Sequence, residues 1–166
     1  GTVIAREQTY VHTFHKEDAP KQAFAGSEED DRQVVFSGPH FKATFDKQSG
    51  LLVSYRYKKQ EYIHNGQGPR PFFWRAPTDN DYGAKLPVRL KAWKEASYQE
   101  PKAESFNVVR DKDTTAVKVT YRFPQTDARW DITYKVYGNG VIKVDNHFVA
   151  ENAQTPMIPR VGLRMQ

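Results

Sequence analysis

A chain of 166 residues with 38% apolar and 13% aromatic side chains can bury one core of ordinary size, and its lack of Cys excludes disulfides and thiolate metal sites. The net charge of +5 and pI of about 9.3 invite a nucleic-acid reading, but the basic residues are scattered singly or in small groups such as Arg56, Lys58 and Lys59. No run of five appears and no nucleic-acid motif is present, so a solvated mixed surface is the reading, with no nucleic acid as partner. No stretch approaches the ~18 apolar residues of a membrane span, so no membrane is expected either. The compartment stays open between cytoplasm and periplasm.

Thr2 to Phe14, with Val3, Ile4, Tyr10, Val11 and Phe14, reads as one or two strands. Residues 15–32 are charged and poor in large apolar side chains, and read as an interdomain linker. The strand before it is then the end of a preceding domain. A mean hydropathy of -0.79, low for a self-contained globule, agrees with a linker or a shared core.

From Gln33 onward strand signals are dense. Val34-Val35-Phe36 is followed by a run in which Phe41, Ala43 and Phe45 share one face, and Asp46-Lys47-Gln48-Ser49-Gly50 is a turn by its chemistry. Leu51 to Ile63 resumes extended structure, so Phe41 to Ile63 reads as a β-hairpin. Gly66 to Gly83, with Pro69, Pro71 and Pro77, reads as a long ordered loop. Leu86, Leu90, Trp93 and Ala96 then recur at helical spacing behind Pro87, which predicts one short helix. Four strands follow, over Phe106–Arg110, Ala116–Phe123, Trp130–Tyr137 and Val141–Ala150, the last two joined by a Tyr137-Gly138-Asn139-Gly140 turn. Pro159 to Gln166 begins a further strand and stops within it, which reads as a truncated domain. The expected class is mainly β and antiparallel, with one short helix.

The loop Pro71-Phe72-Phe73-Trp74-Arg75-Ala76-Pro77-Thr78-Asp79-Asn80-Asp81-Tyr82-Gly83 is the most informative stretch. It resembles the motif of the C-terminal small-chain domain in β-galactosidases of glycoside hydrolase family 2. Phe45 to Leu51 upstream, the Trp93 helix downstream and Arg160-Val161-Gly162-Leu163 near the end agree in order. Ala5-Arg6-Glu7-Gln8 looks like the closing strand of the immunoglobulin-like domain that precedes it in the family.

The resemblance implies three units: residues 1–14 closing an immunoglobulin-like domain, a linker at 15–32, and at 33–166 the first half of an antiparallel β-supersandwich like that of galactose mutarotases. It implies a bacterial parent enzyme that hydrolyses terminal β-D-galactosides with retention. The catalytic carboxylates of that parent sit on a TIM barrel outside this sequence, and the Mg and Na that the family often uses are bound by other domains, with no cofactor expected in this chain. The expected partners are the rest of the polypeptide, the galactoside through the parent, and a second copy covering open strand edges. By resemblance Trp74, Arg75, Asp79, Asn80, Asp81 and Gly83 form a substrate-proximal loop, with Gly83 to about Arg89 approaching substrate. Ala84-Lys85-Leu86-Pro87 departs from the family pattern there.

Read from residue chemistry alone, Asp79 and Asp81 are an attractive carboxylate pair, since residues two apart in an extended loop point the same way. The structural alternative has them capping backbone N–H groups, with Arg75 as the partner. A cation held by Asp79, Asn80 and Asp81 is a weaker reading, because the Gly-containing calcium loop is absent. His12, His15, His40, His64 and His147 have no metal or triad spacing, and His15-Lys16-Glu17 lacks the Cys ligands of a zinc deaminase. Trp93 reads as core, whereas Trp74 is open between packing and a sugar-facing surface. Two other functions stay open: an aldose epimerase, lacking an evident His–His–Glu set, and a stand-alone carbohydrate-binding sandwich.

Overall fold

The computed structural model describes residues 26–110, 114–152 and 155–166. The strand expected at Thr2 to Phe14, His12, His15 and most of the linker lie outside them.

Alternation of apolar and polar residues builds two antiparallel sheets. The first runs β1 (Gly26–Glu29), β2 (Gln33–Ser37), β3 (Phe41–Asp46), β4 (Leu52–Tyr57) and β5 (Gln60–Glu61), in that spatial order. The second is ordered β10 (Ile142–Ala150), β9 (Ala128–Tyr137), β8 (Thr114–Phe123) and β7 (Ser105–Arg110). The acidic end of the charged stretch, Gly26–Glu29, is therefore an edge strand paired with β2. Phe41, Ala43 and Phe45 share the buried face of β3, and Trp130, Ile132, Tyr134 and Val136 that of β9, as their spacing predicts.

The two inner faces pack together as a sandwich. Phe45 and Tyr134 meet edge-to-face across it at 5.2 Å between ring centroids. Three tyrosines carry a polar tip into the interior and each finds a carbonyl: Tyr55 donates to Gly140 (2.7 Å), Tyr121 to Ser49 (2.9 Å) and Tyr134 to Pro69 (3.2 Å). The Asp46–Gly50 turn is formed as expected. Asp46 Oδ1 accepts from the Ser49 amide and hydroxyl, and Gly50 takes φ +75° where a Cβ would stand 2.4 Å from Val119 Cγ1.

Two expectations need correction. Gly66 to Gly83 is not a continuous loop: it holds β6 (Arg70–Phe72) and the one-turn helix α1 (Asp79–Gly83). Strand β6 pairs with β11 (Gly162–Arg164), a partner about ninety residues away that no local pattern reveals. Its Pro71 is tolerated because this is a two-stranded ribbon, where a missing donor costs little. The single helix expected after Pro87 is broken at Leu90, whose φ/ψ of −109°/22° separates α2 (Leu86–Arg89) from the eight-residue α3 (Lys91–Tyr98). Leu90 and Trp93 both lie in the core, at 5% and 0% exposure. With α1, the described residues thus hold three α-helices, of which α3 alone exceeds one turn and a half, besides 3-10 turns at His64–Gly66 and Pro124–Thr126.

Phe73 is the hub that ties the loop to the sandwich. Its ring lies 4.8 Å from Trp93, 5.0 Å from Phe123 and 5.3 Å from Trp130. Its amide donates to the buried Ser97 hydroxyl at 2.9 Å, and that hydroxyl donates in turn to the Trp93 carbonyl.

Candidate functional site

The chain leaves β6 through Phe73 and turns back on itself between Trp74 and Gly83. Arg75 and Asp81 close this turn. Arg75 Nη1 donates to Asp81 Oδ2 at 2.6 Å and Nη2 to Oδ1 at 2.9 Å, a fork-on-fork pair with geometric specificity as well as charge. Asp81 Oδ2 also accepts from the Thr78 amide (2.8 Å), while Thr78 Oγ1 accepts from the Asp81 amide (3.4 Å), completing a capping box. The residue types of the motif are thereby explained: Thr caps, Asp answers from the third helical position, and Arg neutralises it. The Arg75 guanidinium, together with the Thr78 amide, holds the Asp81 carboxyl down at about 2.

Of the residues singled out from sequence, Arg75 and Asp81 are brought together. Asp79 and Asn80 are not: both stay exposed on α1, with Asp79 in the first turn. The carboxylate-pair reading fails for a geometric reason. In a helical turn residues two apart project about 200° from one another, not to the same side. Both oxygens of Asp81 are already taken by Arg75, so Asp79, Asn80 and Asp81 do not form a cation cradle either. Among the described residues, no group of three or more His, Asp or Glu is placed to hold a metal ion.

Trp74 resolves toward packing. It is 8% exposed, with Lys94 Nζ 5.9 Å from its ring centroid. Gly83 has no steric reason to be glycine, since a Cβ there would meet nothing within 4 Å. Trp93 is fully buried and its Nε1 donates to the Pro156 carbonyl, pinning the segment that leads to β11.

Two concavities flank the turn. A cavity of about 110 Å³ lies between it, α2 and Met157–Pro159, well below the roughly 300 Å³ at which ligand pockets begin. On the other side Phe72, Trp74, Arg75, Tyr98, Arg160 and Arg164 border an open groove of about 610 Å³. Arg164 lies over the rings of Phe72 and Tyr98, at 5.4 and 5.9 Å. Tyr98 and the two arginines escaped sequence reasoning, because α3, β11 and the residues just before β11 come to the loop only through tertiary pairing. Exposed apolar side chains ring this region: Tyr82, Val88, Tyr98, Met157, Val161 and Met165.

Residues 37–166 match the family model described as Beta galactosidase small chain. Curated relatives agree with it. The chain is 34% identical over 164 residues to a beta-galactosidase of Clostridium acetobutylicum, covering 98% of this chain and 17% of that protein. It is 32% identical over 136 residues to one of Priestia megaterium, covering 82% and 13%. A beta-galactosidase small subunit of Latilactobacillus sakei is 31% identical over 157 residues, covering 81% of this chain and 48% of that subunit. The chain thus spans between an eighth and about half of the length of these relatives. With the motif loop, the antiparallel sandwich and these matches in hand, the chain belongs to the beta-galactosidase small-chain family.

Proposed function

We propose that this chain is a non-catalytic part of a β-galactosidase, a retaining glycoside hydrolase of family 2, whose reactive carboxyls lie elsewhere in the polypeptide. In this reading it scaffolds the enzyme and carries one lobe of the active-site rim. Retaining hydrolysis needs two carboxyls about 5 Å apart, one of them a general acid with a raised pKa. The observation that carries the proposal is the state of Asp81, the one buried carboxylate of the motif: it is committed to Arg75 and held strongly acidic. The other carboxyls among the described residues whose affinity for protons is displaced, Glu29, Asp30, Glu61 and Asp145, are displaced downward too. Such groups make poor proton donors near neutral pH.

The Arg75–Asp81 lock and the capping box are well suited to hold Trp74 to Gly83 rigid while the open space beside Gly83 faces a neighbour. The groove beside Trp74 and Tyr98 and the apolar ring around it fit contact with the remaining polypeptide or with substrate held there. Any Mg or Na of the parent is then held by other domains. The mutarotase-like supersandwich, and residues 1–14 as the closing strand of a preceding immunoglobulin-like domain, belong to the same proposal. The test is a chromogenic β-galactoside assay of the chain alone and of the chain mixed with the remaining polypeptide. No turnover is expected from the first and turnover from the second; an inactive mixture in which the two parts are shown to bind contradicts the rim role.

A further inference from the structure

One corner of the first sheet breaks local rules twice at the same place. On its outer face Lys42 of β3 and Arg56 of β4 are direct cross-strand partners, and like charges set opposite one another disfavour the pairing. The next connection, between Tyr57 and Gln60, is a two-residue hairpin turn made of Lys58 and Lys59. Both take positive φ, 47° and 72°, the conformation for which Asn-Gly or Asp-Gly is strongly preferred. Lysine gains nothing locally from that backbone.

Among the described residues, the lysines at this corner also lack carboxylate partners, Lys58 lying instead over the Tyr57 ring at 5.6 Å. Several basic side chains elsewhere sit on carboxylates: Lys47 and Arg110 on Glu29, Arg122 on Glu104, Lys135 and Lys143 on Asp145. Lys42, Lys58 and Lys59 have no carboxylate within ion-pair distance among the described residues. The one acid nearby, Glu61, lies 3.6 Å from Arg56 Nε. Its oxygens are already used by the Ser54 hydroxyl and by the amides of Tyr55, Tyr62 and Ile63. His40, whose carbonyl accepts from the Lys58 amide at 2.8 Å, completes the rim of a shallow concavity of about 520 Å³. Sequences break local rules where function demands it, and a concave surface of one sign concentrates ions of the other.

We propose that His40, Lys42, Arg56, Lys58 and Lys59 form an anion site, which takes a multivalent oxyanion: a condensed phosphate or a cluster of carboxylates. This is independent of the galactoside reading, whose substrate carries no charge. The two sources of such an anion, a free small molecule and an acidic peptide segment, share this chemistry and are separated by the test.

The experiment is a titration of the ¹⁵N-labelled chain at low ionic strength with pyrophosphate and, separately, with tetraglutamate. Saturable shifts confined to the amides of residues 38–42 and 56–61 are expected. Saturation by pyrophosphate alone assigns the site to a free anion, and saturation by tetraglutamate alone to a docked acidic segment; saturation by both supports the shared chemistry. Lys58→Asn with Lys59→Gly removes two cations and is expected to weaken binding about tenfold. The same variant relaxes the turn and is expected to melt above the parent chain, so loss of binding is separable from loss of fold. Absence of saturable binding by either anion, shifts spread over the whole surface, or unchanged affinity in the double variant overturns the proposal.

Discussion

Asp81 shows how one side chain can look reactive in sequence and be structural in space. Its carboxyl ordinarily titrates at 3.8 and here is held at about 2 by the Arg75 guanidinium and the Thr78 amide. A depressed folded-state pKa contributes stability that is fully present above the ordinary value and is lost as pH falls through the folded one. The turn is therefore expected to stay locked down to the ordinary carboxylate range and to loosen between pH 3.8 and about 2. A carboxyl ¹³C titration checks this: Asp81 should protonate near 2, and Asp81→Asn should abolish the acid-side loosening of the loop amides. Titration at the ordinary value would remove the lock from the account. Arg75 as the partner was legible from chemistry, because a loop Asp beside an Arg has few better neighbours. That Asp79 points away was not, since a five-residue helix nucleated by a capping box carries no hydrophobic period to announce it.

At the scale of elements, α3 is the piece that positions the loop. Ser97 sits one helical turn beyond Trp93, is 1% exposed, and joins the Trp93 carbonyl to the Phe73 amide. Ser97→Ala strands that amide in the core, which is expected to cost roughly 1–3 kcal/mol in denaturant unfolding. Ser97→Gly would add the backbone-entropy cost of a helical glycine to the same loss, so Ala is the cleaner probe. A cost below a few tenths of a kcal/mol would mean that Phe73 is held by ring packing alone. Most strands of the two large sheets were legible because they carry their own alternation and turn, as with Asp46–Gly50 and Tyr137–Gly140, whereas β1, whose residues read as linker, and the Lys58-Lys59 turn between β4 and β5 were not. Strand β6 was not: three residues with a proline, paired to a strand at the far end, have no local signature. The break at Leu90 was equally hidden, because no Gly or Pro stands at it.

For the whole molecule, the sandwich places its sensitive features on different borders. The Arg75–Asp81 turn and its groove lie where β6 and β11 meet α3, and the basic corner lies at the β4–β5 hairpin of the first sheet. The first border carries exposed Tyr82, Val88, Met157 and Met165, an apolar fringe suited to a large partner. Composition could not reveal this division, because the net charge of +5 looks the same whether cations are spread or gathered. The central claim is that the reactive acids belong to another part of the polypeptide. The most direct measurement is to treat the intact polypeptide, proposed to be a β-galactosidase, with a 2-deoxy-2-fluoro-galactoside that traps the glycosyl-enzyme intermediate, and to map the labelled peptide. The account predicts a labelled carboxyl outside this sequence and none within it; a label on Asp79, Asp81 or any other acid of this chain would contradict it.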